Sequence, residues 1–388
     1  SYQTAWLKAN HPVEFMAAVM NCDIHLTDKL AVYKREIDKL GIRTVAPCVN
    51  ASQATFSVKD GAVVYALGAL KNVGVEAMRM IVEARGTKPF VNLFDVARRV
   101  DLKRVGKRPL EMLARAGAFD VLDRNRARVF EALDALVAYS AAIHEAQGSA
   151  QVSLFGEAGA DLPEPRLANR DDWLPVERLA EEHKAIGFYL SGHPLDDYMS
   201  SLKRRDVRTL TEIAAAAERG PMVAKIAGSV SGRQERKSAK GNRFAFAQLS
   251  DPTGLYEVTV FSDVLEAARD HLEPGRNVVL TVEATLEGET LKLLARAVQP
   301  IDQVAAEAGG AAGLRIHLDR AEAAASVAAL FERVKTDSAR ARGTVMICVA
   351  DPVTGEEIDL ELPQSLPVTP QVRGALRAIS GVRAVEEM

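Results

Sequence analysis

The chain has 388 residues, and at roughly 150 residues per domain that length predicts two or three compact units and excludes a single small module. Apolar residues make up 48% and charged residues 26%, and no run approaches the roughly 20 consecutive apolar residues of a membrane span, so the chain is neither disordered nor membrane-embedded. Forty-nine Lys and Arg against 52 Asp and Glu give a net charge of -3, which excludes a polycation and leaves nucleic-acid contact to local patches.

Two helical patterns fill residues 1 to 45, SYQTAWLKANHPVEFMAAVMN and DKLAVYKREIDKLGI. In the second, Leu30, Tyr33, Ile37 and Leu40 recur at three to four residue spacing and Gly41 closes the helix. Ser1 opens the first pattern without an initiator Met or a signal-peptide layout, which reads as a piece of a longer polypeptide. TFSV and AVVYAL flank Lys59-Asp60-Gly61 as a small hairpin. A helical region then runs from about 67 to 147, a Gly- and Pro-bearing linker follows, and residues 171 to 218 return to a helical period broken at SGHPL.

From about 221 to 300 the period changes to two. VAKIAGSV, RFAFAQLS, LYEVTVF, NVVLTVEATL and LKLLARAV are five strands with a short helix after the third, the order of an OB barrel. AAEAGGAAG reads as a flexible joint, and LRIHLD, a helix over 321 to 335, TVMICVA, EIDLEL and a helix near 370 to 379 make a small α+β unit. The fold class is therefore multidomain α+β: a helical block and tandem hairpins, an OB-fold β-barrel and a small C-terminal α+β domain.

Cys22, Cys48 and Cys348 stand alone, without C-x-x-C spacing, which argues against zinc ribbons, iron-sulfur clusters and disulfide scaffolds and points to a reducing, cytoplasmic compartment. No H-E-x-x-H and no Asp-x-Asp pair occurs, so the sequence shows no metal-dependent chemistry and no cofactor is expected in this chain. Ser191, His193 and Asp196 suggest a hydrolytic triad, but six residues around a Gly-His-Pro turn leave little room to align nucleophile, base and acid, and SGHPL reads as a structural turn.

The contact chemistry lies in three places. LGALKNVGVEAMRM puts Lys71, Asn72 and Gly74 at a tight turn between helical segments, where exposed amides and the positive end of the next helix can hold a phosphate, with Asn72 at a position that tolerates a left-handed backbone. VDLKRVGKRPLEML repeats the plan at Gly106, with Pro109 in the first turn of the next helix. Arg98, Arg99, Lys103, Arg104, Lys107 and Arg108 against Asp101 give this second turn a local +5, suited to duplex backbone without sequence readout. In the barrel, GRQERKSAKGNR carries Arg233, Arg236, Lys237, Lys240 and Arg243 in the loop between the first two strands, and Phe244 and Phe246 share a face opposite Ala245, Ala247 and Leu249. Those rings are expected outward, able to stack on the bases of a single strand. A solvated charged loop and helix packing are the plainer readings of the same residues.

AWLKANHPVEFMAA, ALGALKNVG, LEMLARAGAFD, EEHKAIGFYLSGHPLDDY and AQLSDPTG, in this order, resemble the C-terminal half of the alpha subunit of the bacterial C-family replicative DNA polymerases. The likeness covers essentially residues 1 to 300, with a looser match over 314 to 388. It implies the end of the fingers at 1–64, tandem helix-hairpin-helix elements at 65–147 and a linker with a clamp-binding peptide at 148–170. It further implies a helical connector at 171–220, the OB-fold at 221–302, a linker at 303–313 and a clamp-loader-binding domain at 314–388. The clamp peptide would be Gln151, Val152, Ser153, Leu154 and Phe155. Expected partners are template and primer DNA, the sliding clamp (beta subunit) and the clamp-loader tau subunit, in the cytoplasm near the nucleoid. The polymerase aspartates and their magnesium belong to a palm upstream of these residues, so the chain is expected to be inactive alone. A stand-alone repair protein of hairpin and OB modules and a DNA glycosylase remain alternatives; an upstream palm in the same reading frame separates the first, and a base-sized pocket with a catalytic Asp or Lys the second.

Overall fold

The protein is described by a computed structural model covering residues 2–148, 162–237, 243–288, 290–307, 313–334, 342–350 and 357–388. Two units, Ser1–Ser191 and Gly192–Met388, divide the chain.

Pro12 accounts for the first departure from the sequence reading. Its ring suits the first turn of a helix and not the interior, so the segment read as one helix is two, α1 (Tyr2–Asn10) and α2 (Pro12–Cys22). α3 (Thr27–Lys39) buries Leu30, Ala31 and Ile37. It closes in a Schellman motif, the Gly41 N–H donating to Asp38 O and the Ile42 N–H to Ile37 O, each at 3.0 Å. β1 (Thr44–Val45), β2 (Ser57–Lys59) and β3 (Ala62–Val64) form a sheet in the order β1-β3-β2. The hairpin between β2 and β3 turns on Asp60 and Gly61, both at positive φ (50° and 69°), as a type I′ turn requires.

α4 (Val75–Arg85), α5 (Leu93–Arg99), α6 (Leu102–Val105), α7 (Lys107–Arg115), α8 (Arg126–Gly148) and α9 (Pro175–Ile186) complete the first unit. Tyr65, Met78, Ile81, Leu113 and Ile186 lie in its core. α9 contributes Ala185 and Ile186 to that core and Phe188 follows them, so 171–220 is not one connector: its first part folds with the hairpins and the rest with the barrel.

The second unit opens with α10 (Met199–Lys203), β4 (Val207–Arg208) and α11 (Leu210–Ala217). β5 (Met222–Lys237), β6 (Arg243–Asp251), β7 (Gly254–Val260), β8 (Asn277–Glu287) and β9 (Thr290–Pro300) run in the order β5-β6-β7-β9-β8, and β8 pairs back onto β5 to close a barrel. β7 meets β9 in parallel at Thr259 and Leu294, and α12 (Ser262–Ala268) follows the third barrel strand. This is the OB topology the five runs predicted.

α13 (Ile301–Glu307) replaces the first part of the linker expected at 303–313. Ile301, Val304 and Ala305 recur at helical spacing and pack with Leu195, Tyr198 and Leu202.

In the last domain β10 (Gly313–Leu318), α14 (Ala323–Val334), β11 (Arg342–Ala350), β12 (Glu357–Glu361), β13 (Leu366–Pro367), α15 (Pro370–Arg377) and β14 (Val382–Glu387) follow in turn. The sheet order is β12-β11-β10-β14, with β10 and β11 parallel and β13 pairing with β11. β13 and β14 were not foreseen in the sequence. Among the described residues no helix is long and apolar enough to cross a membrane.

Candidate nucleic-acid interface

The first hairpin turn is tighter than the sequence suggested, because its leading arm is a single 3-10 turn, Leu67–Ala69, and not a helix. Gly68 sets that geometry: a Cβ there would stand 2.6 Å from Ala54 O and 2.8 Å from Val75 Cγ2. Asn72 takes the left-handed backbone expected of it (φ 59°). Gly74 caps α4 in an extended conformation, exposed, with nothing within 4 Å of the position of a Cβ. A ligand can therefore approach the backbone at the positive end of α4. Lys71 is turned toward its own unit: its amide donates to Ala185 O at 2.7 Å and its stem lies across Gly187. Burial first, and the Lys71 ammonium second, push the neighbouring His183 imidazole below its usual range.

α6 and α7 form the second hairpin around Gly106, whose φ of 92° an L side chain rarely adopts. Asp101 caps α6 by accepting from the Arg104 N–H at 3.3 Å. The local +5 does not survive folding intact. Arg99 donates to Ala84 O, Arg85 O and Lys88 O at 2.7 to 2.8 Å, closing the end of α4, and Arg98 pairs with Glu164 at 2.8 Å. Lys103 meets Glu145 at 3.1 Å and Lys107 meets Asp134 at 2.7 Å, both carboxylates coming from α8. Arg104 and Arg108 are exposed and, among the described residues, make no ion pair.

The basic segment of the barrel is not a loop over most of its length. β5 continues to Lys237 and β6 begins at Arg243, so Arg236 faces Phe244 and Arg233 faces Ala247 across an antiparallel ribbon. Strand parity then sorts the side chains. Ala245, Ala247 and Leu249 are fully buried in the barrel, while Phe244 and Phe246 are half-buried on the outer face. Phe244 and Phe246 meet edge to face at 5.5 Å, Phe261 lies 6.5 Å from Phe244, and the Arg236 guanidinium sits over the Phe246 ring at 5.4 Å. Phe261 is 53% exposed and was not singled out in the sequence, although its place one residue beyond Val260, the partner of Ala245, aligns it with Phe244.

Arg233 belongs to the other face. It donates to Arg269 O at 2.6 Å and pairs with Glu273 at 2.9 Å and Glu235 at 3.2 Å, so it is committed within the protein. Arg269 in turn holds the Glu235 carboxyl below its usual range. Lys237 and Arg243, paired across the ribbon, are exposed on that same second face. Lys240 and the whole of Gln151 to Phe155 lie outside the described residues.

His193 is a structural residue. Its Nδ1 accepts from the Leu195 N–H at 3.2 Å, which puts the ring proton on Nε2, and Nε2 then donates to Ser250 Oγ at 3.0 Å. A ring so protonated cannot take a proton from that hydroxyl. Asp196 is occupied by the His193 N–H at 2.6 Å. Among the described residues no group of three His, Cys, Asp or Glu side chains is placed to hold a metal ion.

Glycine-hinged hairpins followed by a closed barrel of OB order define a multidomain α+β protein of the helix-hairpin-helix and OB class. The helix-hairpin-helix motif family matches residues 41–129. The DNA polymerase III subunit alpha of Caulobacter vibrioides is 43% identical over 390 aligned positions, covering 100% of this chain and 34% of the relative. That of Escherichia coli K12 is 34% identical over 310 positions, covering 78% of this chain and 27% of the relative. Among solved structures, the mitochondrial single-stranded DNA-binding protein Rim1 of S. cerevisiae matches 20% of this chain and 92% of its own, at 24% identity and a TM-score of 0.18. The chain belongs to the family of DNA polymerase III alpha subunits and fits a C-terminal portion of it, spanning 27% to 34% of the length of these two relatives.

Proposed function

We propose that this chain is the part of a replicative DNA polymerase that holds template and primer while nucleotide transfer takes place elsewhere in the longer polypeptide. The observation that carries this reading is the outer face of the barrel ribbon, where Phe244, Phe246 and Phe261 stand beside the Arg236 guanidinium. Three rings with a cation among them offer π-faces to successive bases and a charge to their backbone, irrespective of sequence. The exposed Gly74, with Arg104 and Arg108, which make no ion pair among the described residues, supports a second, duplex-holding role for the hairpins. Binding to duplex should fall steeply with salt, and Arg104→Ala with Arg108→Ala is expected to reduce the slope of log affinity against log salt by about 2, near 0.9 for each phosphate left without its cation. An unchanged slope on a primer–template duplex would remove the hairpin from the interface. Lys103→Ala with Lys107→Ala should do less, since both lysines already have carboxylate partners.

The resemblance supports two protein partners as well. Leu154 and Phe155, side by side in a Gly-rich segment with no helical or strand period, suit a tethered peptide that enters an apolar groove on the ring-shaped sliding clamp, with Gln151 at its edge. Leu154→Ala with Phe155→Ala should then cost about 2 kcal/mol of clamp affinity, roughly 30-fold, and leave the melting temperature unchanged. A large fall in melting temperature with clamp affinity intact would show that the pair packs internally. Residues 314–388 are the candidate contact for the clamp-loader tau subunit, and the setting is the bacterial cytoplasm at the nucleoid. With the palm aspartates and their magnesium assigned by the resemblance to residues outside this chain, the purified chain is expected to incorporate no nucleotide on a primed template; incorporation would contradict that assignment.

A further inference from the structure

The second hairpin carries the same dipeptide on both sides of its glycine, Lys103-Arg104 before Gly106 and Lys107-Arg108 after it. In each, the arginine makes no ion pair among the described residues, while the lysine meets a carboxylate of α8, Glu145 at 3.1 Å for Lys103 and Asp134 at 2.7 Å for Lys107. Asp134 and Glu145 are eleven residues apart on one continuous helix, so they stand within about 20° of each other around its axis and about 16 Å apart along it. One face of α8 therefore supplies one carboxylate to each arm of the hairpin.

The buried side of α8 holds that face in place. The Leu102 N–H donates to Ser140 Oγ at 3.1 Å, and the Ser140 hydroxyl donates to Val100 O at 2.8 Å. Leu133, Leu136 and Ile143 of α8 lie in the same core as Leu102, Val105 and Leu110 of the hairpin. The two carboxylates, by contrast, stand at the edge of the water. The side chains of Asp134 and Glu145 are 73% and 70% exposed, and those of Lys107 and Lys103 are 54% and 66% exposed.

Ion pairs this exposed add little to folding stability, so the docking of α8 rests on the buried contacts and not on these bridges. A solvated pair of charges accounts for either bridge taken singly. It does not account for the repeat, in which both arms have the lysine held and the arginine left, with both carboxylates on one helix face. An ammonium is a point charge on a flexible stem and readily exchanges one oxyanion for another, whereas the planar guanidinium fork matches two phosphate oxygens at once. A carboxylate placed at the lysine therefore occupies its charge until a phosphate takes over.

We propose that Asp134 and Glu145 set the affinity of the second hairpin for duplex by competing with backbone phosphates for Lys107 and Lys103. The inference rests on the reading that this hairpin holds duplex. Incoming duplex meets the two arginines first and gains the two lysines only by displacing the carboxylates. The grip is then weaker than four free cations would give, which suits a sequence-independent contact along which duplex has to slide.

The test uses the full 388-residue chain and a labelled blunt duplex. Asp134→Asn with Glu145→Gln should tighten binding about tenfold at low salt and steepen the slope of log affinity against log salt by about 1 to 2, near 0.9 for each lysine freed to meet a phosphate. Glu14→Gln with Asp28→Asn removes the same charge from exposed carboxylates that make no ion pair among the described residues, and should change affinity by less than about twofold. Adding Lys103→Ala and Lys107→Ala to the first variant should cancel its gain. If Arg104→Ala with Arg108→Ala flattens the wild-type slope but the first variant binds no tighter than the charge-matched control, the competition is overturned and the hairpin reading stands. A gain that survives the loss of both lysines overturns the competition as well. A wild-type slope that the arginine substitutions leave unchanged overturns the hairpin reading and this inference together.

Discussion

Replacing Phe244 and Phe246 together by Ala is expected to weaken single-strand binding by about 3 kcal/mol, near 150-fold, since stacking contributes ~1–3 kcal/mol per base. The rings stand on the outer face, while Ala245, Ala247 and Leu249 fill the barrel from the same strand. Truncating the rings should therefore remove binding surface without opening a cavity in the core. Titration of a labelled oligonucleotide, with thermal melting alongside, separates the possibilities. Affinity held at the wild-type value with a large fall in melting temperature would mean the rings serve internal packing. Phe261→Ala should add to the loss, because its ring extends the same row.

The largest expected effect on stability lies at Arg126. Its side chain is 11% exposed, it donates to both Asp120 carboxylate oxygens at 2.8 to 3.0 Å and to Arg115 O at 3.3 Å, and Glu182 Oε2 stands 3.6 Å away. Burial acts most strongly and opposes its charge, but the Asp120, Glu182 and Asp172 carboxylates together outweigh it, so the guanidinium pKa is raised. Glu182, itself 3% exposed in its side chain, also accepts from the Leu190 and Ser191 N–H groups at 3.1 and 2.9 Å. The arrangement ties LARAGAFD to EEHKAIGFYL. Arg126→Met leaves Glu182 without its nearest cation and is expected to cost about 3–5 kcal/mol, because removing one partner strands a buried charge. Urea denaturation of the variant checks this; a change under about 1 kcal/mol would show that water or a neighbouring cation compensates.

Local chemistry made much of this molecule readable in advance. The β2–β3 hairpin follows from Asp60-Gly61 between alternating apolar residues, and the barrel from five runs of period two with a helix after the third. The outward placement of Phe244 and Phe246 followed from strand parity alone. What the sequence hid was decided by partners far along the chain. Lys103 and Lys107 are neutralised by Glu145 and Asp134 of α8, and Arg233 is drawn to the second face of the ribbon by Glu273 and the Arg269 carbonyl. No local pattern announces such pairings. Two signals were present but easily misread. Pro12 marks a helix start inside a continuous apolar pattern, and Ile301, Val304 and Ala305 give helical spacing to what composition alone describes as a joint.

We propose a division of labour, with the hairpins on duplex and the aromatic face of the barrel on single strand. It is tested most directly by measuring two variants, Arg104→Ala with Arg108→Ala and Phe244→Ala with Phe246→Ala, against both a duplex and a single-stranded oligonucleotide. A crossed result is expected: the arginine variant loses duplex affinity and salt dependence but keeps single-strand affinity, and the phenylalanine variant loses single-strand affinity but keeps duplex affinity. Equal losses on both substrates for both variants would contradict it.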